Sequence, residues 1–398
     1  MIRVLRIINR FNLGGPTYNA AYLTKYLGDD YETLLVGGSQ NETEANSEYI
    51  VKSLGIEPMI IAQMHRSINP VLDIEAYNKL KKIIREFRPH IVHTHASKAG
   101  ALGRRAAFFM NVPVVVHTFH GHVFDSYFSK MQSSFYIRLE RQLAKKTDAI
   151  ITLSDNQFDD IVNKFKICNS SKARIIPLGF DLCRFWENTE MKRKQFREKY
   201  KLADDEIAIG IIGRLVPVKN HSLFIEAFRH VLQNSQTRVR AFIVGDGESR
   251  PLIENQLHNY GIEFSDGIQN KTPVVFTSWE KDVDMVYAGL DLVALTSLNE
   301  GTPVSLIEAQ AACKPIISTA VGGIRNIVIE GKTALVADAG DSARFISLLM
   351  QLVEDEELRR SLSEKGYEFV KERFHYSRLV HDMRELYGSL LSQKNLLL

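Results

Sequence analysis

Short β-branched runs alternate with longer helix-forming stretches along the chain, and the whole scheme runs through twice. In the first half, Val4–Ile8, Glu32–Val36, His90–His93, Val112–His117 and Ala149–Leu153 read as strands. Helix patterns lie between them at Asn19–Leu27, Ile74–Phe87 and Ser134–Ala144. The second half repeats the plan with strands at Ile207–Ile212, Arg240–Val244, Val274–Phe276, Leu292–Leu295 and Pro315–Ser318. Strands that take turns with helices form parallel sheets covered on both faces. The expected fold class is therefore α/β, as two Rossmann-like doubly wound domains facing a deep cleft. Sheets of this kind hold ligands beyond the carboxyl ends of their strands, so chemistry is to be sought in the loops that follow strands.

The length of 398 residues fits this plan, given about 150 residues per domain. The boundary is expected within 178–205, where Leu178-Gly-Phe-Asp-Leu supplies a turn and Glu187–Lys201 is a charged, helix-compatible stretch with little apolar periodicity. That gives domains 1–180 and 181–398. Leu358–Leu390 is helical by pattern, and the C-terminal helix, about 376–398, is expected to fold back over the junction onto the first domain.

A net charge of +3 hides an asymmetry. Residues 1–180 carry 23 Lys+Arg against 16 Asp+Glu, and residues 181–398 carry 27 against 31. Halves of opposite sign imply different partners. Three scattered cysteines without a C-x-x-C spacing fit a reducing compartment rather than a disulfide framework. The N-terminal run alternates charge into its apolar residues, and no stretch approaches the roughly 18 apolar residues of a bilayer span. The expected location is cytoplasmic, peripheral on the inner face of the cell membrane.

Two segments of the second half carry the strongest chemical signals. After the strand Leu292–Leu295 comes Glu300-Gly-Thr-Pro-Val-Ser-Leu-Ile-Glu308. Pro303 suits the first turn of a helix, where its missing N–H costs nothing. The helix start then offers unpaired amides and a positive dipole end to an anion. Glu300 would sit in the loop and Glu308 one to two turns inside. Two carboxylates beside an anion site suit a ligand that combines phosphates with vicinal hydroxyls. The plain alternative is a solvent-facing helix. After the strand Ile207–Ile212 comes Gly213-Arg-Leu-Val-Pro-Val-Lys-Asn220. Arg214 and Lys219 put two cations at the carboxyl edge of the sheet, a natural clamp for a diphosphate. An exposed basic loop is the alternative, and the two segments together favour the site.

Other motifs are weaker. Gly331-Lys-Thr ends like a Walker A loop, but Asn326 stands where that motif needs Gly, and no Gly-x-Gly-x-x-Gly follows the first strand. A nucleotide-triphosphatase and a dehydrogenase are thereby disfavoured. Gly14-Gly15 after the first strand permits close backbone approach to a ligand. The histidines His93, His95, His117, His120 and His122 follow two strands without Cys or acidic partners at ligand spacing, so a metal is not expected. Core hydrogen bonding accounts for most of them, and one at a strand end could serve hydrogen bonding or proton transfer near pH 7. Between Ser97 and Lys146, basic residues (Lys98, Arg104, Arg105, Arg138 and others) interleave with aromatics including Phe109, Phe124 and Phe135. Such a surface could meet an anionic membrane or a lipid-linked partner, with solvated helix faces as the alternative. Nucleic acid is not expected, since no recognised motif accompanies the charge.

Together these residues resemble a known family. Asn12-Leu-Gly-Gly-Pro, His93-Thr-His-Ala-Ser-Lys-Ala-Gly, His117-Thr-Phe-His-Gly-His, Ile176-Pro-Leu-Gly-Phe-Asp, Gly213-Arg-Leu-Val-Pro-Val-Lys-Asn and Ser297-Leu-Asn-Glu-Gly-Thr-Pro through Val321-Gly-Gly are similar, in order and spacing, to family 4 retaining glycosyltransferases of the GT-B type. The likeness covers nearly the whole chain and points to the bacterial capsule, exopolysaccharide and lipopolysaccharide enzymes. It implies a nucleotide-sugar donor, UDP- rather than GDP-linked, bound by the second domain, and a sugar or lipid-linked sugar acceptor bound by the first. It also implies that Arg214 and Lys219 hold the diphosphate, that Glu300 meets sugar hydroxyls and that Glu308 binds the ribose diol. Gly213, Gly301, Thr302 and Val304 would complete the donor site, with Gly14 and Gly15 approaching from the first domain. His120 would be the histidine near the transferred sugar. No metal and no cofactor are implied. Thr302, Cys313, Asn326 and Ala334 depart from the family's usual residues, which bears on the donor sugar rather than on the phosphate or ribose contacts. A sugar-nucleotide epimerase of the same fold and a non-catalytic sugar-nucleotide-binding protein are the alternatives.

Overall fold

The computed structural model describes residues 1–11, 15–38, 48–65, 69–121, 130–268 and 271–396. The chain divides into two compact units, Met1–Phe180 with Phe374–Leu398, and Asp181–Arg373. Each unit is built on one seven-stranded sheet.

The first sheet comprises β1 (Ile2–Arg10), β2 (Tyr31–Gly38), β3 (Met59–Ile60), β4 (Ile91–His95), β5 (Val114–Thr118), β6 (Ala149–Thr152) and β7 (Ala173–Ile175). Its spatial order is β3-β2-β1-β4-β5-β6-β7, with every pair parallel. All five residues of β4 and of β5 are buried; β5 opens on three valines, whereas β4 follows Ile91 and Val92 with buried His93, Thr94 and His95. The C-terminal helix Tyr376–Gln393 covers one face of this sheet, with Leu379, Met383 and Leu391 in one cluster with Val4, Ile91 and Val114. The Arg378 guanidinium donates to the carbonyls of Pro177 and Leu178, each at 2.7 Å.

The second sheet comprises β8 (Ile207–Ile212), β9 (Val239–Val244), β10 (Phe264–Asp266), β11 (Val274–Ser278), β12 (Leu292–Leu295), β13 (Ile316–Ala320) and β14 (Leu335–Asp338), in the order β10-β11-β9-β8-β12-β13-β14 and again all parallel. Four edge or near-edge strands, β3, β7, β10 and β14, have no counterpart in the strands read from sequence. They are two to four residues long, too short to register as runs.

One further difference has a physical reason. The long helical pattern at the C-terminus is two helices, Glu356–Phe374 and Tyr376–Gln393, interrupted at His375, which has extended backbone and accepts from the Ser377 amide as an N-cap. The charged, helix-compatible stretch after the boundary forms the helix Thr189–Lys199. It buries Phe196 and otherwise docks through ion pairs: Arg193 and Arg197 to Asp291 at 2.7 and 3.2 Å, and Lys192 to Asp284 at 2.9 Å. An interface made of ion pairs leaves no apolar stripe to read.

In each sheet the strand order reverses once, between β1 and β4 and between β8 and β12. Such reversals open a crevice at the carboxyl ends of the strands, where ligands of doubly wound sheets bind. The two segments singled out from the second half follow β8 and β12, the two strands that flank its reversal.

Candidate active site

Gly213, the first residue after β8, has φ 151°, in the region that favours glycine. A Cβ there would lie 3.6 Å from Lys219 Cε and 3.8 Å from its Nζ, so the lysine tip sits over this glycine. Lys219 returns to the strand end because Pro217–Lys219 forms one 3₁₀ turn and Asn220, at φ 48°, redirects the chain into the helix His221–Asn234. The turn is tied to the segment after β12: Leu298 N–H donates to Val218 O at 2.8 Å and Thr296 Oγ1 to Lys219 O at 2.9 Å.

These ties bring Lys219 and Glu300 together. Lys219 Nζ lies 2.6 Å from Glu300 Oε1, which also accepts from Ser297 Oγ at 2.6 Å. The side chains are 20% and 11% exposed, so a ligand can reach this pair. Arg214 is exposed, and among the described residues its side chain has no ion pair or hydrogen bond. The site thus holds one cation already neutralised and one free.

The loop after β13 supports Glu300 from behind. Gly322 has φ 52°, and a Cβ on it would overlap Glu300 O. A Cβ on Gly323 would overlap Gly301 O, and Gly323 N–H donates to Glu300 O at 3.0 Å. Only glycines allow the two backbones to lie this close. Gly301 is exposed, and Thr302 and Val304 are half-buried.

The helix that follows is Val304–Ala311, so Pro303 is the residue before the helix, at φ −72° and ψ 104°, rather than in its first turn. No side chain caps this helix, and its first amides remain for a ligand. Glu308, its fifth residue, is partly buried, and burial pushes its carboxyl up to about 7, with Asp284 adding to the rise and Arg184 opposing it. Tyr287 Oη stands 3.2 Å from Glu308 Oε2 and donates to Ser305 O at 2.8 Å. Tyr287 lies in the helix Val283–Gly289, far from either motif in sequence, and nothing in its surroundings there marks it. Ser297 opens the segment Ser297-Leu-Asn-Glu-Gly-Thr-Pro, and the sequence alone gives it no role.

The remaining candidates belong to the first unit. Gly15 opens the helix Gly15–Tyr26, and Gly14 and His122 lie outside the described residues. His93, His95 and His117 are fully buried. His93 is held by Tyr387 Oη at 2.6 Å and Thr118 Oγ1 at 2.7 Å, and His117 Nδ1 by Thr94 Oγ1 at 2.9 Å. His120, two residues beyond β5, is half-buried, and its Nε2 is 3.0 Å from His95 Nδ1. Burial lowers His120 to about 3 and holds the other three well below the ordinary range. Rings held so are neutral near pH 7, and among the described residues no carboxylate supports their charge.

The basic segment is also resolved in part. Arg104 is not a solvated cation but a buried one, 2.6 Å from Glu140, and Lys98 pairs with Asp73 at 2.5 Å. On the helix Lys130–Lys146, Met131, Phe135, Arg138, Lys145 and Lys146 are exposed, whereas Phe124 lies outside the described residues. Among the described residues no helix is long and apolar enough to cross a membrane.

Comparison with known proteins accords with this geometry. The family described as Glycosyltransferase Family 4 matches residues 13–184, and that described as Glycosyl transferases group 1 matches residues 192–369. The UDP-Gal:alpha-D-GlcNAc-diphosphoundecaprenol alpha-1,3-galactosyltransferase of Escherichia coli is 29% identical over 85% of this chain and 85% of its own. The capsular polysaccharide biosynthesis glycosyltransferase CapM of Staphylococcus aureus is 24% identical over 84% and 85%. Among solved structures, Anabaena Alr3699/HepE in complex with UDP and glucose superposes with a TM-score of 0.80 at 18% identity, covering 98% of this chain and 100% of that one. WaaG, a glycosyltransferase involved in lipopolysaccharide biosynthesis, gives 0.72 at 17% identity, covering 96% and 99%. The fold is GT-B.

Proposed function

The chain belongs to glycosyltransferase family 4 and is a glycosyltransferase, and on that premise we propose that it moves a hexose from a UDP-hexose to a hydroxyl of a lipid-linked sugar, with retention and without a metal. The observation that carries this reading is the convergence of Arg214, the Lys219–Glu300 pair and the uncapped start of Val304–Ala311 on the reversal point of one sheet. The transferase reading, and not the epimerase alternative, is the one its relatives support.

In the proposed reaction, the acceptor oxygen forms a bond to the anomeric carbon on the face from which the diphosphate departs. The bond from that carbon to the phosphate oxygen breaks, its electron pair leaves with UDP, and the acceptor proton passes to the departing oxygen. Negative charge grows on the diphosphate, where Arg214, Lys219 and the helix amides meet it. These groups supply the stabilisation that a divalent ion gives elsewhere, so the reaction needs none. Glu300 orients sugar hydroxyls and Glu308 accepts from the ribose diol. The exposed Met131 and Phe135 beside Arg138, Lys145 and Lys146 suit peripheral docking on an anionic membrane, where a lipid-linked acceptor resides.

Calorimetric titration tests the donor assignment. UDP is expected to bind more tightly than GDP. Glu308 accepts from the diol as a carboxylate and is half-protonated at about 7, so UDP affinity is full above that pH and falls as pH drops through it. The limiting slope is about tenfold per pH unit for one linked proton. Glu308→Gln removes this slope and leaves only that of the ligand's own phosphate. Equal affinity for UDP and GDP, or the same pH profile in wild type and variant, contradicts the assignment.

A further inference from the structure

We propose that Tyr287 is a positioning residue for Glu308: its one hydroxyl hydrogen turns from Ser305 O to Glu308 Oε2 and holds the carboxylate that accepts from the ribose diol. The last clause rests on the proposed place of Glu308 at that diol.

Tyr287 is fully buried, and its Oη lies 2.8 Å from Ser305 O and 3.2 Å from Glu308 Oε2. A carbonyl oxygen can only accept, and a phenol has one hydrogen. While that hydrogen points at Ser305 O, the Glu308 contact is a hydrogen bond when Glu308 is protonated and donates to Oη. Once Glu308 ionises, lone pairs face each other across 3.2 Å until the hydrogen turns to Oε2. The two arrangements differ by a rotation about one C–O bond. The ring itself stays where it is, packed edge-on against Phe185 with centroids 5.6 Å apart. Glu308 Oε1 has no partner among the described residues and is not shut off from solvent, so it stays open to a ligand hydroxyl.

The neighbouring charges do not supply this hold. Asp284, on the same helix as Tyr287, disfavours the carboxylate, and Arg184 favours it. Asp284 in turn pairs with Arg184 at 3.3 Å and with Lys192 at 2.9 Å. The strands β12 and β13, which also pack on the helix of Glu308, carry no ionisable residue. The helix Glu356–Phe374 meets that helix at Gln310, through Gly366. Burial disfavours the charged form of Glu308, and the Tyr287 hydroxyl works against burial by donating to it.

Tyr287→Phe keeps the ring that fills the core and removes only the hydroxyl. In the ligand-free protein, difference infrared spectra of the carboxyl band give the midpoint of Glu308 ionisation, assigned by its loss in Glu308→Gln. Losing the donor disfavours the carboxylate, so the midpoint is expected to rise by about one pH unit in Tyr287→Phe. UDP affinity by calorimetry is expected to follow it. The variant should bind about fivefold more weakly than wild type at pH 7, and within about twofold at pH 8.5, where both carboxyls are mostly ionised. An unchanged or lowered midpoint in folded Tyr287→Phe overturns the inference. A raised midpoint with UDP affinity equal to wild type at every pH upholds the hold on Glu308, and the placement of Glu308 at the ribose is then what fails.

Discussion

Arg214→Ala and Lys219→Ala are each expected to lower turnover about 10²- to 10³-fold while the protein stays folded. In the proposed reaction both cations act on charge that develops as UDP departs, so the loss is expected to fall on kcat more than on donor binding. The two variants should differ in a telling way. Arg214 is exposed and unpaired among the described residues, so its removal leaves the rest of the site as it was. Lys219 is the partner of Glu300 at 2.6 Å, and without it Glu300 keeps only Ser297. Lys219→Ala therefore also loosens a carboxylate placed on sugar hydroxyls and raises KM for the donor. Arg214→Lys keeps the charge but loses the two-pronged fork, and is expected to recover part of the rate. Steady-state kinetics with circular dichroism as the folding check decide the matter. Near wild-type turnover in both alanine variants contradicts the assignment.

The second large effect is expected at a residue that need not touch the donor. Gly323→Ala puts a methyl group into the backbone oxygen of Gly301, and neither atom belongs to a flexible side chain that could yield. Relief requires the loop after β13 to move away, which breaks the 3.0 Å bond from Gly323 N–H to Glu300 O and shifts Glu300. The expected cost is about 1–3 kcal/mol of stability, together with a loss of UDP affinity of at least tenfold. Thermal unfolding and calorimetry measure the two effects. Gly388→Ala is the control: it lies in the helix Tyr376–Gln393 and a Cβ there meets nothing within 4 Å, so UDP affinity should stay at wild type and stability should rise by about 0.5–1 kcal/mol. Unchanged UDP binding by folded Gly323→Ala would separate the loop from the site.

The legibility of this molecule in its sequence follows from burial. Strands such as β5 and β12 are buried along their whole length and announce themselves by their apolar residues. The edge strands β3 and β7 are short and partly exposed, and nothing selects an apolar run there. Arg214, Lys219 and Glu300 lie in the loops that follow β8 and β12, the strands beside the reversal, so their placement near one another was legible, and Glu308 lies further on, inside the helix. The places of Tyr287 and His95 were not legible. Tyr287 looks like any core tyrosine until its hydroxyl is found 3.2 Å from Glu308. His95 stands among four neighbouring histidines, and only the observed pairing tells which ring faces which. The acidic excess of the second half gives no sign of the proposed anion site, which rests on two local cations and a helix start.

The most direct test is transfer itself. Purified protein is incubated with UDP-galactose, UDP-glucose or UDP-GlcNAc and a polyprenyl-diphosphate-linked GlcNAc acceptor in the presence of EDTA, and the product is examined by mass spectrometry and NMR. The account predicts one hexose added per UDP released, joined in the same α configuration that it had in the donor. A β-linked product, an absolute requirement for a divalent metal, or transfer only from GDP-sugars would contradict it.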